Sequence, residues 1–149
     1  MKRILATAAA LALLLWAAAA AAQQAKEIES YQDFGDYRVI YSVFNSEFIA
    51  PEIARSYNLV RARDRVFVNI SVVKKSGSHG LSAGISGRAT NLIQQSRPLD
   101  FMEIREQDAV YYLAPLRFEN EETLTFDIDL VLPDGAKQQL SFRRQLHKN

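Results

Sequence analysis

Two histidines, His79 and His147, no cysteine and a scatter of carboxylates are what this 149-residue chain offers to bond-making chemistry. Without a thiol, nucleophilic catalysis would need a serine activated by one of those imidazoles. His79 sits in SGSHG, a glycine-serine loop that reads as a mobile hairpin connection rather than a rigid mount, and His147 sits in the terminal HKN, where fraying is the default. No histidine pair has metal-ligand spacing. Met102 with a histidine would make a copper pair, but a lone methionine in a strand ordinarily packs. Glu103, Glu106, Glu119, Glu121 and Glu122 could supply an acid and a base only if their surroundings pushed two pKa values apart. The run ENEE (residues 119–122) reads as a solvated loop, and Glu103, flanked at period two by Phe101 and Arg105, reads as a cross-strand ion-pair partner. The inventory favours a protein that is not a catalyst and carries no cofactor and no metal.

Residues suited to binding are better represented. Tyrosines offer a ring and a polar tip, and they gather in two segments, IYSVFNSEFIAPEIARSY (residues 40–57) and AVYYLAPLRF (residues 109–118). Adjacent strand residues point to opposite faces, so at most one of Tyr111 and Tyr112 is exposed by a half-buried strand. In the first segment a strand runs into Asn45 and Ser46, polar residues that turn a chain by bonding to nearby backbone. Pro51 then suits a first helical position, with Glu52 and Arg55 placed to complement the helix dipole. Ile49, Ile53 and Tyr57, four apart, would anchor that short helix near residues 51–57 on one face. Asn45, Ser46, Glu47, Arg55, Tyr57, Glu103, Tyr111 and Tyr112 are therefore the candidate binding residues.

These segments must be positioned by strands. Val66, Val68, Ile70 and Val72 alternate with Phe67, Asn69, Ser71 and Val73, and TLTFDIDLVL (residues 123–132) places Leu124, Phe126, Ile128 and Leu130 inward. Pro133-Asp134-Gly135 is a turn, and AKQQLSFRRQL (residues 136–146) returns as its partner, so the chain ends in a hairpin. Glycines within LSAGISGRATNL (residues 81–92) predict a bulge or close backbone approach, and Pro115 confines its stretch to an edge, a bulge or a strand switch. Seven or eight short strands with no long amphipathic helix predict an all-β fold: a single antiparallel β-sandwich of immunoglobulin-like type. A small closed barrel is the alternative.

Met1-Lys2-Arg3, the apolar run from Ile4 to Ala19 and the small residues Ala20 to Ala22 form the pattern of a secretory signal peptide, cleaved after Ala22 to leave one domain over residues 23–149. Loss of Lys2 and Arg3 leaves 16 basic against 17 acidic residues, a balance that excludes a phosphate-tracking stripe and with it nucleic acid. No stable membrane insertion is expected after cleavage. With no disulfides available, packing and strand pairing must supply the stability.

The succession YSVFNSEFIAPEIARSY, NIS (residues 69–71), GRATNL (residues 87–92) and IREQDAVYYLAPLRFENEETLTFDI (residues 104–128) resembles the exported bacterial family catalogued as domain of unknown function 4426. The resemblance spans essentially the whole mature chain. It implies a periplasmic single domain and supplies no catalytic residues. Two functions are consistent with these readings: a non-catalytic periplasmic module that binds an envelope protein or peptide, which is favoured, and a small-molecule carrier or hydrolytic enzyme with a pocket of tyrosine, arginine and carboxylate. The oligomeric state is not legible.

Overall fold

Valine, isoleucine and aromatic residues at alternate positions favour a pleated, half-buried surface, and nine strands form among the described residues. The fold is that of a computed structural model describing residues 30–148; the expected signal peptide lies outside the described residues. The strands are β1 (Ser30–Phe34), β2 (Tyr37–Asn45), β3 (Arg65–Lys74), β4 (Gly84–Asn91), β5 (Ser96–Leu99), β6 (Met102–Glu106), β7 (Ala109–Arg117), β8 (Glu122–Val131) and β9 (Lys137–Leu146). They make two antiparallel sheets, ordered β1-β2-β3-β7-β6 and β5-β4-β8-β9. The result is a sandwich of immunoglobulin-like type, not a closed barrel.

The interior follows the alternation. Val66, Val68, Ile70 and Val72 from one sheet meet Leu124, Phe126, Ile128 and Leu130 from the other, all essentially without solvent contact. Phe126 stacks on Phe142 across the β8–β9 hairpin and Phe142 on Tyr41 of the facing sheet, with centroids 5.1 and 4.5 Å apart. Arg144 shares that inner face, its guanidinium 5.3 Å from the Phe142 ring centre. The terminal hairpin closes at Pro133-Asp134-Gly135: Gly135 takes φ +86°, and Asp134 Oδ1 accepts the Ala136 N–H at 3.0 Å.

Pro115 shows how the topology accommodates a missing donor. β7 is an interior strand over its first half, where β6 pairs with Ala109 to Leu113, while β3 pairs on through Leu116 and Arg117. Pro115 stands beyond the reach of β6, so that part of β7 is locally an edge, as proline requires. Gly87 answers the expected close approach: a Cβ there would lie 2.6 Å from the Asp127 carbonyl oxygen.

Four expectations change. The sequence from Leu81 begins its strand only at Gly84, and Ser96–Leu99, which contains Pro98, pairs as the edge strand β5. Residues 75–83 are more than a hairpin connection: Gly80 bridges Val73 antiparallel, and the chain then crosses to the other sheet, stitched down by Gly80 N–H donating to the Asp108 carbonyl and Leu81 N–H to the Val72 carbonyl, both at 2.8 Å. Gly80 alone permits this approach, since a Cβ would meet the Val110 nitrogen at 2.3 Å. Glu122 opens β8 rather than ending a solvated loop, its half-buried carboxylate 2.8 Å from Arg97. The short helix, α1 (Pro51–Ser56), is present but anchors differently. Ile49 precedes it in extended backbone, so the spacing of four is broken, and Ile53 is 41% exposed. Asn58 takes φ +59° and ends α1, with Leu59 N–H donating to the Ala54 carbonyl at 2.7 Å and Asn58 N–H to the Arg55 carbonyl at 3.4 Å. That cap folds Leu59 back beside Ala54, and these two are the buried anchors.

Candidate functional site

The second apolar cluster explains why a helix stands here. Phe67 and Leu113 point out of the five-stranded sheet, on the face away from the main core, and with Ile104 they need a cover. Ala54, Leu59, Ile49 and Tyr57 provide it. A 3₁₀ turn (Ser46–Phe48) redirects the chain from β2 into this cover.

Ser46, expected as a binding residue, is completely buried and fully bonded: its Oγ donates to the Ala62 carbonyl at 2.9 Å and accepts the Ala62 N–H at 2.8 Å. It pins the start of the corner to its end. Asn45 closes β2 opposite Val66 in extended backbone and makes no capping bond with its side chain. Glu47 is exposed, and its carbonyl accepts from Arg61 at 2.9 Å. Arg55 is exposed, beside Val60 and Arg61 on an open groove of about 340 Å³.

Tyr57 joins this corner to the second group of candidates. Its hydroxyl donates to Glu106 Oε1 at 2.6 Å, with the Arg105 carbonyl at 3.3 Å. The carboxylate beside it holds the phenol above the usual tyrosine range. On the opposite face of β6, Tyr112 pairs across the strands with Glu103, donating to Oε2 at 2.9 Å and accepting the Ala83 N–H at 2.9 Å. Burial, opposed by the Ala83 bond and aided by Glu103, pushes the Tyr112 phenol up. Glu103 also takes a bond from Arg105 Nε at 2.5 Å, and Arg105 reaches the Ser82 hydroxyl. The Tyr112 hydroxyl first, then Arg105, hold the Glu103 carboxyl below its ordinary value. The ion pair therefore lies along one strand, and the cross-strand partner is a phenol. Tyr111 turns to the outer face beside Ile104 and is 38% exposed, while Tyr112 is buried.

Chemically this is a set of fixed donors and acceptors. Glu103 and Glu106 are three apart on a strand and so point to opposite faces, which prevents them from converging on one substrate as acid and base. Raised phenols remain protonated donors rather than nucleophiles. His79 Nδ1 is 3.7 Å from an Asp108 carboxylate oxygen at the β6–β7 turn, and both side chains are well exposed. Met102 lies at the far end of β6 from that turn, so the methionine-histidine pairing does not form. Among the described residues no three or more of His, Cys, Asp and Glu cluster as a metal ion would require.

The family model described as "Domain of unknown function (DUF4426)" matches residues 31–149. Among solved structures, a DUF4426 family protein from Pseudomonas aeruginosa PAO1 is 32% identical, with a TM-score of 0.74 over 81% of this chain and 96% of that one. A copper-bound variant of FetP from uropathogenic Escherichia coli strain F11 is 12% identical, TM-score 0.61, over 81% of this chain and 96% of that one. FetP of the same strain as isolated, expressed recombinantly in the periplasm of E. coli BL21(DE3), is 10% identical, TM-score 0.57, over 81% and 95%. These two likenesses concern the fold alone. The comparison with curated proteins gives no match.

Proposed function

The chain belongs to the DUF4426 family, and from that premise we propose a non-catalytic binding module of the bacterial envelope that receives an extended segment of a partner protein along β6. The observation that carries this reading is the edge of β6, which no strand among the described residues pairs, and where Glu103 and Glu106 are each held by a tyrosine on opposite faces. Edge strands recruit further strands unless guarded. β6 is guarded by brevity and charge, so only a partner with complementary charges gains from pairing there. Half-exposed Tyr111 and Met102 supply apolar area beside the polar edge. The envelope setting rests on the signal-peptide pattern of residues 1–22. Among the described residues no helix is long and apolar enough to cross a membrane.

Copper belongs to FetP, and the donor set here does not fit it: a methionine and two exposed histidines stand apart from one another. The carrier or hydrolase alternative needs polar groups converging on a cavity, whereas those of β6 diverge. Photocrosslinking residues placed at Met102 and Arg105, with Gln139 on the opposite sheet as control, test the proposal in cells. Adducts from the two β6 positions, abolished by Glu106→Lys, are expected. Equal labelling from Gln139, or none from β6, would overturn it.

A further inference from the structure

The β4–β5 hairpin breaks two local rules at once. Its three-residue loop is Leu92-Ile93-Gln94, closed by Asn91 N–H donating to the Gln95 carbonyl at 3.0 Å. Such loops ordinarily carry polar residues, with glycine at the left-handed position. Here Leu92 and Ile93 occupy the tip, 68% and 74% exposed, and Gln94 takes φ +64°. Asn91 supports the arrangement, its Oδ1 accepting the N–H groups of Ile93 and Gln95 at 3.2 and 2.9 Å. Its Nδ2 donates to Gln95 Oε1 at 2.8 Å. Two aliphatic side chains are thus presented to water on a preorganised mount, and departures from local preference of this kind mark functional places.

The surroundings say what would cover them. Leu92 and Ile93 form one wall of an open groove of about 220 Å³ whose other wall is Glu121, Glu122 and Thr123. Glu122 is engaged with Arg97 and Glu119 is close to Lys148, but Glu121 makes no ion pair among the described residues. An aliphatic wall facing an unpaired carboxylate suits a long cationic side chain, whose methylenes lie on Leu92 and Ile93 while its head meets Glu121. We propose that the β4–β5 tip is a second docking surface, independent of the β6 edge, for a partner protein segment that alternates apolar residues with lysine or arginine.

The test uses the ¹⁵N-labelled mature chain titrated with a short peptide of alternating leucine and lysine, and with its leucine-glutamate counterpart. Amide shifts confined to residues 91–95 and 119–123, for the lysine peptide alone, are expected. Leu92→Ser with Ile93→Ser should weaken binding about tenfold, and Glu121→Gln by a smaller factor that vanishes at high salt. Both variants change exposed side chains, so an unchanged spectrum elsewhere verifies the fold. Equal response to both peptides, response to neither, or shifts at β6 would overturn the proposal. So would tip-dependent self-association in sedimentation, or tip-dependent binding to anionic phosphatidylglycerol vesicles in place of the peptide. Crosslinking from β6 is unaffected by these variants, so failure at the tip leaves the first reading standing.

Discussion

On the outside of the five-stranded sheet, Phe67, Leu113 and Ile104 are covered by Ala54 and Leu59. On the outside of the four-stranded sheet, Arg143, Thr125, Thr90 and Ser96 run side by side across four strands, next to Ser141, Asp127 and Arg88, and no helix or strand among the described residues packs on them. The cause is visible strand by strand. β8 alternates, so one face is apolar and the other is content in water. β3 carries valines and isoleucine on one face and Phe67 on the other, so a second layer must form. The corner between β2 and β3 is that layer. A turn, a six-residue helix and a left-handed asparagine there are consequences of β3, and the polar residues that hold them are structural unless they also face solvent.

The largest effect should separate the two faces directly. Phe67→Ala empties the centre of the covered face and is expected to cost about 3–5 kcal/mol, whereas Thr125→Ala on the open face should stay within about 0.5 kcal/mol. Urea unfolding measures both, and comparable losses would show that the covered face is not a second core. The next effect lies within the corner. Ser46→Ala leaves the part-buried Ala62 N–H without its partner, the Ala62 carbonyl keeping the Arg65 N–H, and should cost about 1–2 kcal/mol, while Arg55→Ala should change stability by less than about 0.5 kcal/mol. A stable Ser46→Ala protein would show that the Ser46–Ala62 bonds do not hold the corner.

This contrast also explains what the sequence could disclose. Alternation over β3, β8 and β9 specifies which side chains meet, so the sandwich, the terminal hairpin and the burial of only one of Tyr111 and Tyr112 were legible. The anchoring of α1 was not, because Ile53 and Ala54 differ in hydrophobicity in the sense opposite to their burial. The signal that decides it is Asn58-Leu59, a left-handed cap followed by an apolar residue, and it outweighs a spacing of four that a six-residue helix cannot use. Ser46 and Tyr57 were singled out for their type, but their partners, Ala62 and Glu106, are set by the tertiary path. Gly80 and Ala83 appear featureless in sequence because they act through backbone, lending N–H groups to Asp108 and Tyr112. The Leu92-Ile93 tip lay at the end of a strand reading, where an apolar pair is unremarkable until the turn beneath it is known.

The smallest expected effect distinguishes the two faces of β6 by pH. Glu103 on the inner side has a lowered pKa, so its bonds to Tyr112 and Arg105 stabilise the fold above the ordinary value of 4.5 and are lost as pH falls through the folded value. Tyr57 on the covered outer side has a raised pKa, so its bond to Glu106 stabilises the fold below the ordinary value of 10.0 and is lost as pH rises through the folded value. Glu103→Gln should therefore flatten the acid limb of a stability profile and, because Glu103 also helps raise Tyr112, trim the share of the alkaline limb that Tyr112 supplies, whereas Tyr57→Phe should flatten the alkaline limb and leave the acid limb unchanged. Thermal unfolding followed across both limits reads the two limbs separately. If Tyr57→Phe altered the acid limb as well, the two tyrosine-carboxylate pairs would be one coupled network through β6, and the division between its faces would fail at this edge.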